Sequence, residues 1–151
     1  MTSGSYTAFF YITIDDSKAE YKQEWHDGAG CSTDSWTIID SYENFTVGLP
    51  VTFTDNTSGY YLYSVVDSSK ETTLSSSTNN SYNSASYCGY SDWVVNTEKD
   101  VTGKTCNSIE LPIKGTEYYS ISRLIGTSLQ VSLFSTSDFP TSVQTFSYTK
   151  Q

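Results

Sequence analysis

Hydrophobic and polar residues alternate through much of this chain. In SYTAFFYITID, an extended backbone places Phe10, Ile12 and Ile14 on one face, and Phe9 and Tyr11 on the other. The segment GYYLYSVVD repeats the alternation further along the chain. A period of two is typical of β-strands, and no long segment shows a convincing helical period. The pattern therefore predicts an all-β protein.

The C-terminal third predicts a meander. The runs SIELPIK, EYYSISRLI, SLQVSLF and SVQTFSYTK are separated by Gly115-Thr116, by Gly126-Thr127 and by the loop Ser135–Pro140. Short glycine turns are typical of antiparallel hairpins. Upstream, EYKQEWH, SWTIIDSY, NFTVG and PVTFT indicate further strands. We therefore expect an antiparallel up-and-down barrel of about 8–10 strands, with a β-sandwich as the alternative.

One segment departs from this pattern. DSSKETTLSSSTNNSYNSAS, residues 67–86, is polar and contains almost no apolar side chains. It predicts a long polar surface loop, and loops of this length are often functional. Strand-like sequence resumes directly after it. With 151 residues in all, the chain is expected to form a single all-β domain spanning 1–151.

Composition narrows the possible partners. Aromatic residues make up 15% of the chain, with 13 Tyr, which argues against disorder and favours strands. The net charge is −9, and the eight Lys and Arg residues are scattered. Such a surface repels a phosphate backbone, so we expect no nucleic-acid partner. The apolar runs are far shorter than a membrane span, so we expect no membrane insertion.

The three cysteines allow two readings. Cys88 and Cys106 bracket a short polar segment, and a disulfide between them would close a hairpin and stabilise it by ~3 kcal/mol. Cys31 is then left over as a possible intermolecular thiol. Alternatively, the three cysteines and His26 supply the four ligands of a zinc site. Because no C-x-x-C knuckle is present, we favour the disulfide and expect neither a metal nor a cofactor.

Catalytic signals are weak, whereas binding signals are widespread. With one histidine and no G-x-S-x-G elbow, the sequence predicts no catalytic residue. Sequons at Asn44, Asn56 and Asn79 are candidate glycosylation sites, at a frequency close to chance. Aromatic side chains stack on sugars or line apolar cavities, although core packing explains many of them equally well. The candidate ligand or glycan contacts are Tyr60, Tyr61, Tyr63, Tyr118, Tyr119 and Trp93.

The segment around the two cysteines resembles a known pattern. It reads Cys88-Gly89, then Asp92-Trp93-Val94, then Lys99-Asp100-Val101-Thr102-Gly103, and finally Cys106. This string is similar to one found in secreted lipocalin-like, calycin-type β-barrel proteins of protists and algae. The hairpin run that follows, GTEYYSISRLIGTSLQVSLF, matches the same family at Tyr119, Ile121 and Leu129. The resemblance implies an antiparallel barrel, secretion and a disulfide between the two cysteines.

These features favour a non-catalytic extracellular or cell-surface protein. The first expectation is a structural or adhesive role as a coat, matrix or filament subunit, with self-association or another extracellular protein as partner. The alternative is a lipocalin-like module that binds a small apolar molecule or a glycan. A carboxylate-based hydrolase is the third and least favoured reading, because the sequence does not single out a catalytic pair.

Overall fold

A computed structural model describes residues 6–27, 33–53, 56–126, 128–132, 134–140 and 146–149. Its strands are β1 (Tyr6–Asp15), β2 (Lys18–Asp27), β3 (Thr33–Thr52), β4 (Ser58–Thr73), β5 (Glu98–Asp100), β6 (Thr105–Cys106), β7 (Ile109–Glu110), β8 (Glu117–Ile125), β9 (Ser128–Val131) and β10 (Phe146–Thr149). Helix α1 spans Ser76–Ala85, and one turn of 3-10 helix follows at Tyr87–Gly89.

Within the described residues, eight strands form one antiparallel sheet. Seven of them lie in the order β1, β2, β3, β4, β8, β9 and β10, and β5 pairs with the far end of β4. The sheet is curled into a half-barrel. The predicted all-β class with barrel character is therefore confirmed. These eight strands form one curled sheet, and not the two packed sheets of the alternative, while β6 and β7 form a separate two-stranded sheet.

Strand β3 is longer than the sequence predicts. Gly48 to Pro50 predicted a break between two strands, but β3 continues to Thr52. Bulges can admit glycine and proline within a strand, because the extra residue leaves the hydrogen-bonded ladder. The prediction of separate strands here is therefore wrong. The pairing of β3 with β4 shifts register between Ser41 and Tyr42, between Glu43 and Thr46, and between Val47 and Pro50.

The prediction of a long surface loop over residues 67–86 is also wrong. Strand β4 continues to Thr73, and α1 follows directly. Ser69, Glu71 and Thr73 are buried on one face of this extension. Each has a hydrogen-bond partner, as when the Ser69 hydroxyl donates to Asp40 Oδ1 at 2.5 Å. Hydrogen bonding makes it possible to bury these polar side chains, so the usual apolar alternation is absent.

Helix α1 forms from residues with weak helix propensity. The Ser75 hydroxyl caps its first turn by accepting from the Thr78 N–H at 3.2 Å. The Tyr82 hydroxyl donates to Glu71 Oε1 at 2.6 Å and so ties the helix to β4. A cap and tertiary packing, more than propensity, therefore hold this helix in place.

Residues 74–116 form an insert between β4 and β8, with its own apolar core. Cys88, Trp93, Val101 and Cys106 are its buried residues. The predicted disulfide is present, because Cys88 and Cys106 are bonded. The predicted hairpin is not, since Cys88 lies in the 3-10 turn and Cys106 in β6. The bond therefore ties the 3-10 turn to the small β6–β7 sheet.

Candidate functional site

The concave face of the half-barrel encloses a cavity of about 230 Å³, which we call the concave cavity. Its first wall comes from β1 and β2. Ile12 and Ile14 lie on the face predicted from sequence alternation, and they pair across the strands with Tyr21 and Ala19. Cross-strand partners project from the same side of a sheet, so these four side chains form a continuous apolar surface.

The floor of the concave cavity comes from the middle of the sheet. Tyr42 on β3 is the cross-strand partner of Ala19, and Phe45 lies three residues further along. Leu62 and Ser64 on β4 complete the floor. Tyr42 and Ser64 are both almost fully buried. The floor is therefore mainly apolar, with the hydroxyl groups of a serine and a tyrosine as its polar features.

The opposite wall comes from β9 and the residues that follow it. Leu129, Val131 and Phe134 line this side. In sheet order β9 lies five positions from β1, so only the curl brings these two strands to one cavity. Ser132 also lines it, but its hydroxyl is engaged with the protein, 3.0 Å from Ser120 Oγ and accepting from the Ile121 N–H at 3.0 Å.

The electrostatics of the concave cavity disfavour an anionic ligand, because Glu20 is the one charged residue among its described lining residues. Burial raises the pKa of Tyr42 above its usual range, and the nearby Asp40 raises it further. Burial also raises the pKa of the Asp40 carboxyl, although the hydrogen bond from Ser69 opposes this shift. No Lys or Arg side chain of the described residues lines the concave cavity. A ligand with a strong negative charge would find no counter-ion there.

The six predicted contact residues do not form one site. Tyr118 packs against the wall of the concave cavity, with ring-centroid distances of 6.2 Å to Tyr42 and 5.3 Å to Phe134. Trp93 is instead buried in the core of the insert. Tyr60 is half exposed near the start of β4 and does not line the cavity.

Tyr61, Tyr63 and Tyr119 form a separate aromatic group. The Tyr63 and Tyr119 rings lie 5.5 Å apart, and Phe139 packs 4.4 Å from Tyr61 and 5.1 Å from Tyr119. The Tyr119 hydroxyl donates to Glu117 Oε2 at 2.6 Å. The segment that contains Phe139 covers part of these rings, so packing accounts for this group.

The three sequon asparagines differ in their accessibility. Asn44 and Asn56 are exposed, each with a positive φ, as is common for asparagine in bulges and turns. Asn79 lies in α1, and its Oδ1 accepts a hydrogen bond from Thr73 Oγ1 at 3.2 Å. Glycosylation at Asn44, Asn56 and Asn79 stays a prediction.

Cysteine and acidic residues offer little for metal chemistry. Cys31 lies outside the described residues, so its role as an intermolecular thiol stays a prediction. In the part of the chain that the structure describes, no group of His, Cys, Asp and Glu residues is arranged to hold a metal ion. With Cys88 and Cys106 bonded to each other, they cannot serve as zinc-binding thiolates in this state.

The buried carboxyl groups were not predicted from sequence. Glu71 is fully buried beneath α1 and accepts a hydrogen bond from Tyr82, and Asp40 is bonded to Ser69. Because the insert covers Glu71, no substrate reaches it in this conformation. It therefore gives no support to the hydrolase reading. The apolar residues of the concave cavity were missed for another reason, because they converge only through the curl.

No protein-family model matches this chain, and a search of curated proteins found no match. The resemblance to lipocalin-like proteins therefore rests on the Cys88–Cys106 segment and the C-terminal strands. Among the described helices, none is both long and apolar enough to cross a membrane.

Proposed function

We propose that this protein is a non-catalytic module that binds a small apolar molecule in the concave cavity. The observation that carries the proposal is the cavity itself, a concave apolar space at the centre of a curled sheet. Small-molecule sites are typically concave and mostly apolar, with a few polar groups that orient the ligand. Ser64 is the residue that we propose for this orienting role.

The volume of the cavity limits the size of the ligand. An engineered cavity of about 150 Å³ in another protein holds benzene, while sites for drug-sized molecules span about 300–1,000 Å³. At about 230 Å³, the concave cavity lies between these values. We therefore propose a neutral ligand of one or two rings, or a short acyl chain. A glycan fits less well, because the lining offers few hydrogen-bonding groups.

The lipocalin-like relationship and the extracellular location are part of the same proposal. A disulfide and the lack of a membrane-spanning helix among the described residues are compatible with an extracellular protein. The resemblance implies an antiparallel barrel, secretion and a disulfide, and it does not supply a ligand. A structural role in a coat, matrix or filament is the second candidate. The exposed first strand, described below, favours it.

The proposal is tested by filling the cavity. Leu129→Trp adds bulk to the wall, so it is expected to weaken binding of the neutral two-ring fluorescent probe prodan, 6-propionyl-2-(dimethylamino)naphthalene, at least ~10-fold, which corresponds to about 1.4 kcal/mol. An uncharged probe is used because the net charge of the chain is −9. Fluorescence titration of the wild-type protein is expected to show saturable binding to one site.

Val47→Trp is the matched control. Val47 is 59% exposed on β3 and does not line the cavity, so this variant is expected to bind the probe as the wild type does. Equal affinity in Leu129→Trp and the wild type, with circular dichroism showing both folded, would contradict the proposed site. Absence of saturable binding to the wild type would count against the proposed ligand class.

A further inference from the structure

Strand β1 lies at an edge of the sheet. Within the described residues its strand partner is β2, and the order of the sheet begins with β1. Sheet edges present backbone N–H and C=O groups that can pair with another strand, and proteins commonly protect such edges with charges, proline or bulges. The residues of β1 and its pairing with β2 show whether this strand has such charges, prolines or bulges.

The protective features are missing from most of β1. From Tyr6 to Ile14 the strand contains no charged residue and no proline, and Asp15 is its one acidic residue. Its pairing with β2 runs through ten consecutive residue pairs without a bulge. In contrast, β3 in the middle of the sheet has three register shifts. The edge strand is therefore more regular than an interior strand, the reverse of the usual arrangement.

Both faces of β1 also expose apolar side chains. Phe9 is 44% exposed on one face, and Phe10 and Ile14 are 43% and 50% exposed on the other. Single exposed apolar residues are ordinary on protein surfaces, but a contiguous group of them marks an interaction site. An added strand would pair with the backbone edge and place its own side chains beside those of β1 on both faces. A ligand on one face would leave the other face exposed.

We propose that β1 pairs in antiparallel orientation with β1 of a second copy of this chain, about a twofold axis at Phe10. The uncharged run from Tyr6 to Ile14 has Phe10 at its centre. Pairing about that residue matches every position of the run and leaves Asp15 outside it. A twofold interface of this kind is the commonest in homodimers.

The residues that this register brings together are complementary. Ala8 opposes Ile12, a small side chain beside a large one, and Phe9 opposes Tyr11. Thr7 opposes Thr13, and threonine pairs are favourable across strands. Each copy carries a net charge of −9, so two copies repel one another except where the contact is uncharged. The strand is thus suited to its own copy without requiring a different partner.

Single-cysteine crosslinking tests the pairing in the full chain, with Cys31→Ser removing the third cysteine. Opposed residues in an antiparallel pair have Cα atoms about 4.5–5.5 Å apart, within the range of a disulfide. Oxidation of Phe10→Cys is therefore expected to give a covalent dimer on a non-reducing gel. Thr7→Cys is the matched control, because residue 7 lies about 20 Å from its own equivalent in this register.

The double variant Thr7→Cys with Thr13→Cys is expected to restore the covalent dimer, since these positions oppose each other. If Thr7→Cys alone gives as much dimer as Phe10→Cys, the register and the proposal are wrong. A measurement on the unmodified protein avoids any effect of substitution on folding. Hydrogen exchange of the β1 amides is expected to slow as protein concentration rises. Unchanged exchange together with a monomeric sedimentation profile at all concentrations overturns the proposal.

Discussion

Replacing Trp93 with alanine is expected to destabilise the insert by about 3–5 kcal/mol, the usual cost of truncating a buried tryptophan. Trp93 is 2% exposed and packs against the rings of Tyr82 and Tyr90, with centroids 5.2 and 5.9 Å away. Its indole N–H donates to the Tyr87 carbonyl oxygen at 3.2 Å. Truncation would remove these contacts and leave a void beside the disulfide.

Denaturant unfolding and hydrogen exchange would measure the effect of Trp93→Ala. Exchange of the α1 amides is expected to accelerate most, because Tyr82 of this helix packs against the indole ring that the substitution removes. Val94→Ala is the neighbouring control. Val94 is 58% exposed, so its truncation is expected to cost less than about 1 kcal/mol. Similar losses for the two variants would show that Trp93 does not organise the insert.

The part of the fold that the sequence predicts well is the part with apolar alternation. In β1 the face of Phe10, Ile12 and Ile14 was assigned correctly, because residues two apart in a strand share a face whatever the rest of the sheet does. The hairpin of β8 and β9 was also predicted, since Gly126 marks its turn. These features depend on local chemistry, so one sequence is enough to find them.

The extension of β4 could not be predicted in the same way. Ser69, Glu71 and Thr73 are buried, and each is hydrogen-bonded to one partner from β3 or the insert. Asp40 lies 29 residues from Ser69, whereas Asn79 and Tyr82 belong to the polar run itself, and such a run is typical of a loop. The prediction that SIELPIK forms a strand of the C-terminal meander is also wrong. Only Ile109–Glu110 is a strand there, and it pairs with β6 within the insert.

For the candidate site, too, local sequence predicts which side chains share a face, but not which strands face one another. Ile12 and Ile14 were recognisable as one face of a strand, but nothing local to β1 indicates that it lies across from Val131. The tyrosine residues did not identify the candidate site, because they are abundant and gave several candidates. Most of those candidates pack against other aromatic rings, as Tyr61 and Tyr119 do around Phe139. A cavity formed by curvature is a property of the whole sheet.

The stability of the fold is expected to decrease as the pH rises from about 4.5 to about 7, through the titration of Glu71. Burial raises the pKa of this carboxyl to about 7 and the nearby Asp40 adds to the shift, whereas hydrogen bonding to Tyr82 and Tyr87 opposes it. In the unfolded chain Glu71 ionises near its ordinary pKa of 4.5. Between the two pKa values the unfolded state is ionised while the folded state keeps its proton.

The sign and size of the effect follow from proton linkage. Below about pH 4.5 both states are protonated, and the contribution of Glu71 to stability is at its maximum. Above about pH 7 both are ionised, and the folded state carries the full cost of a buried charge. A shift of this size corresponds to about 3 kcal/mol of lost stability across the interval.

The variant Glu71→Gln isolates this contribution. Glutamine does not titrate, so its free energy of unfolding, measured with urea between pH 4 and pH 8, is expected to lack the decline assigned to Glu71. The two proteins are compared by how their free energy of unfolding changes with pH, and not by its value at one pH. The reason is that the glutamine amide must form hydrogen bonds of its own, which changes the stability at every pH. Glu110→Gln, at an exposed position on β7, is expected to keep the slope of the wild type. Parallel profiles for wild type and Glu71→Gln would mean that the buried carboxyl does not titrate in this range.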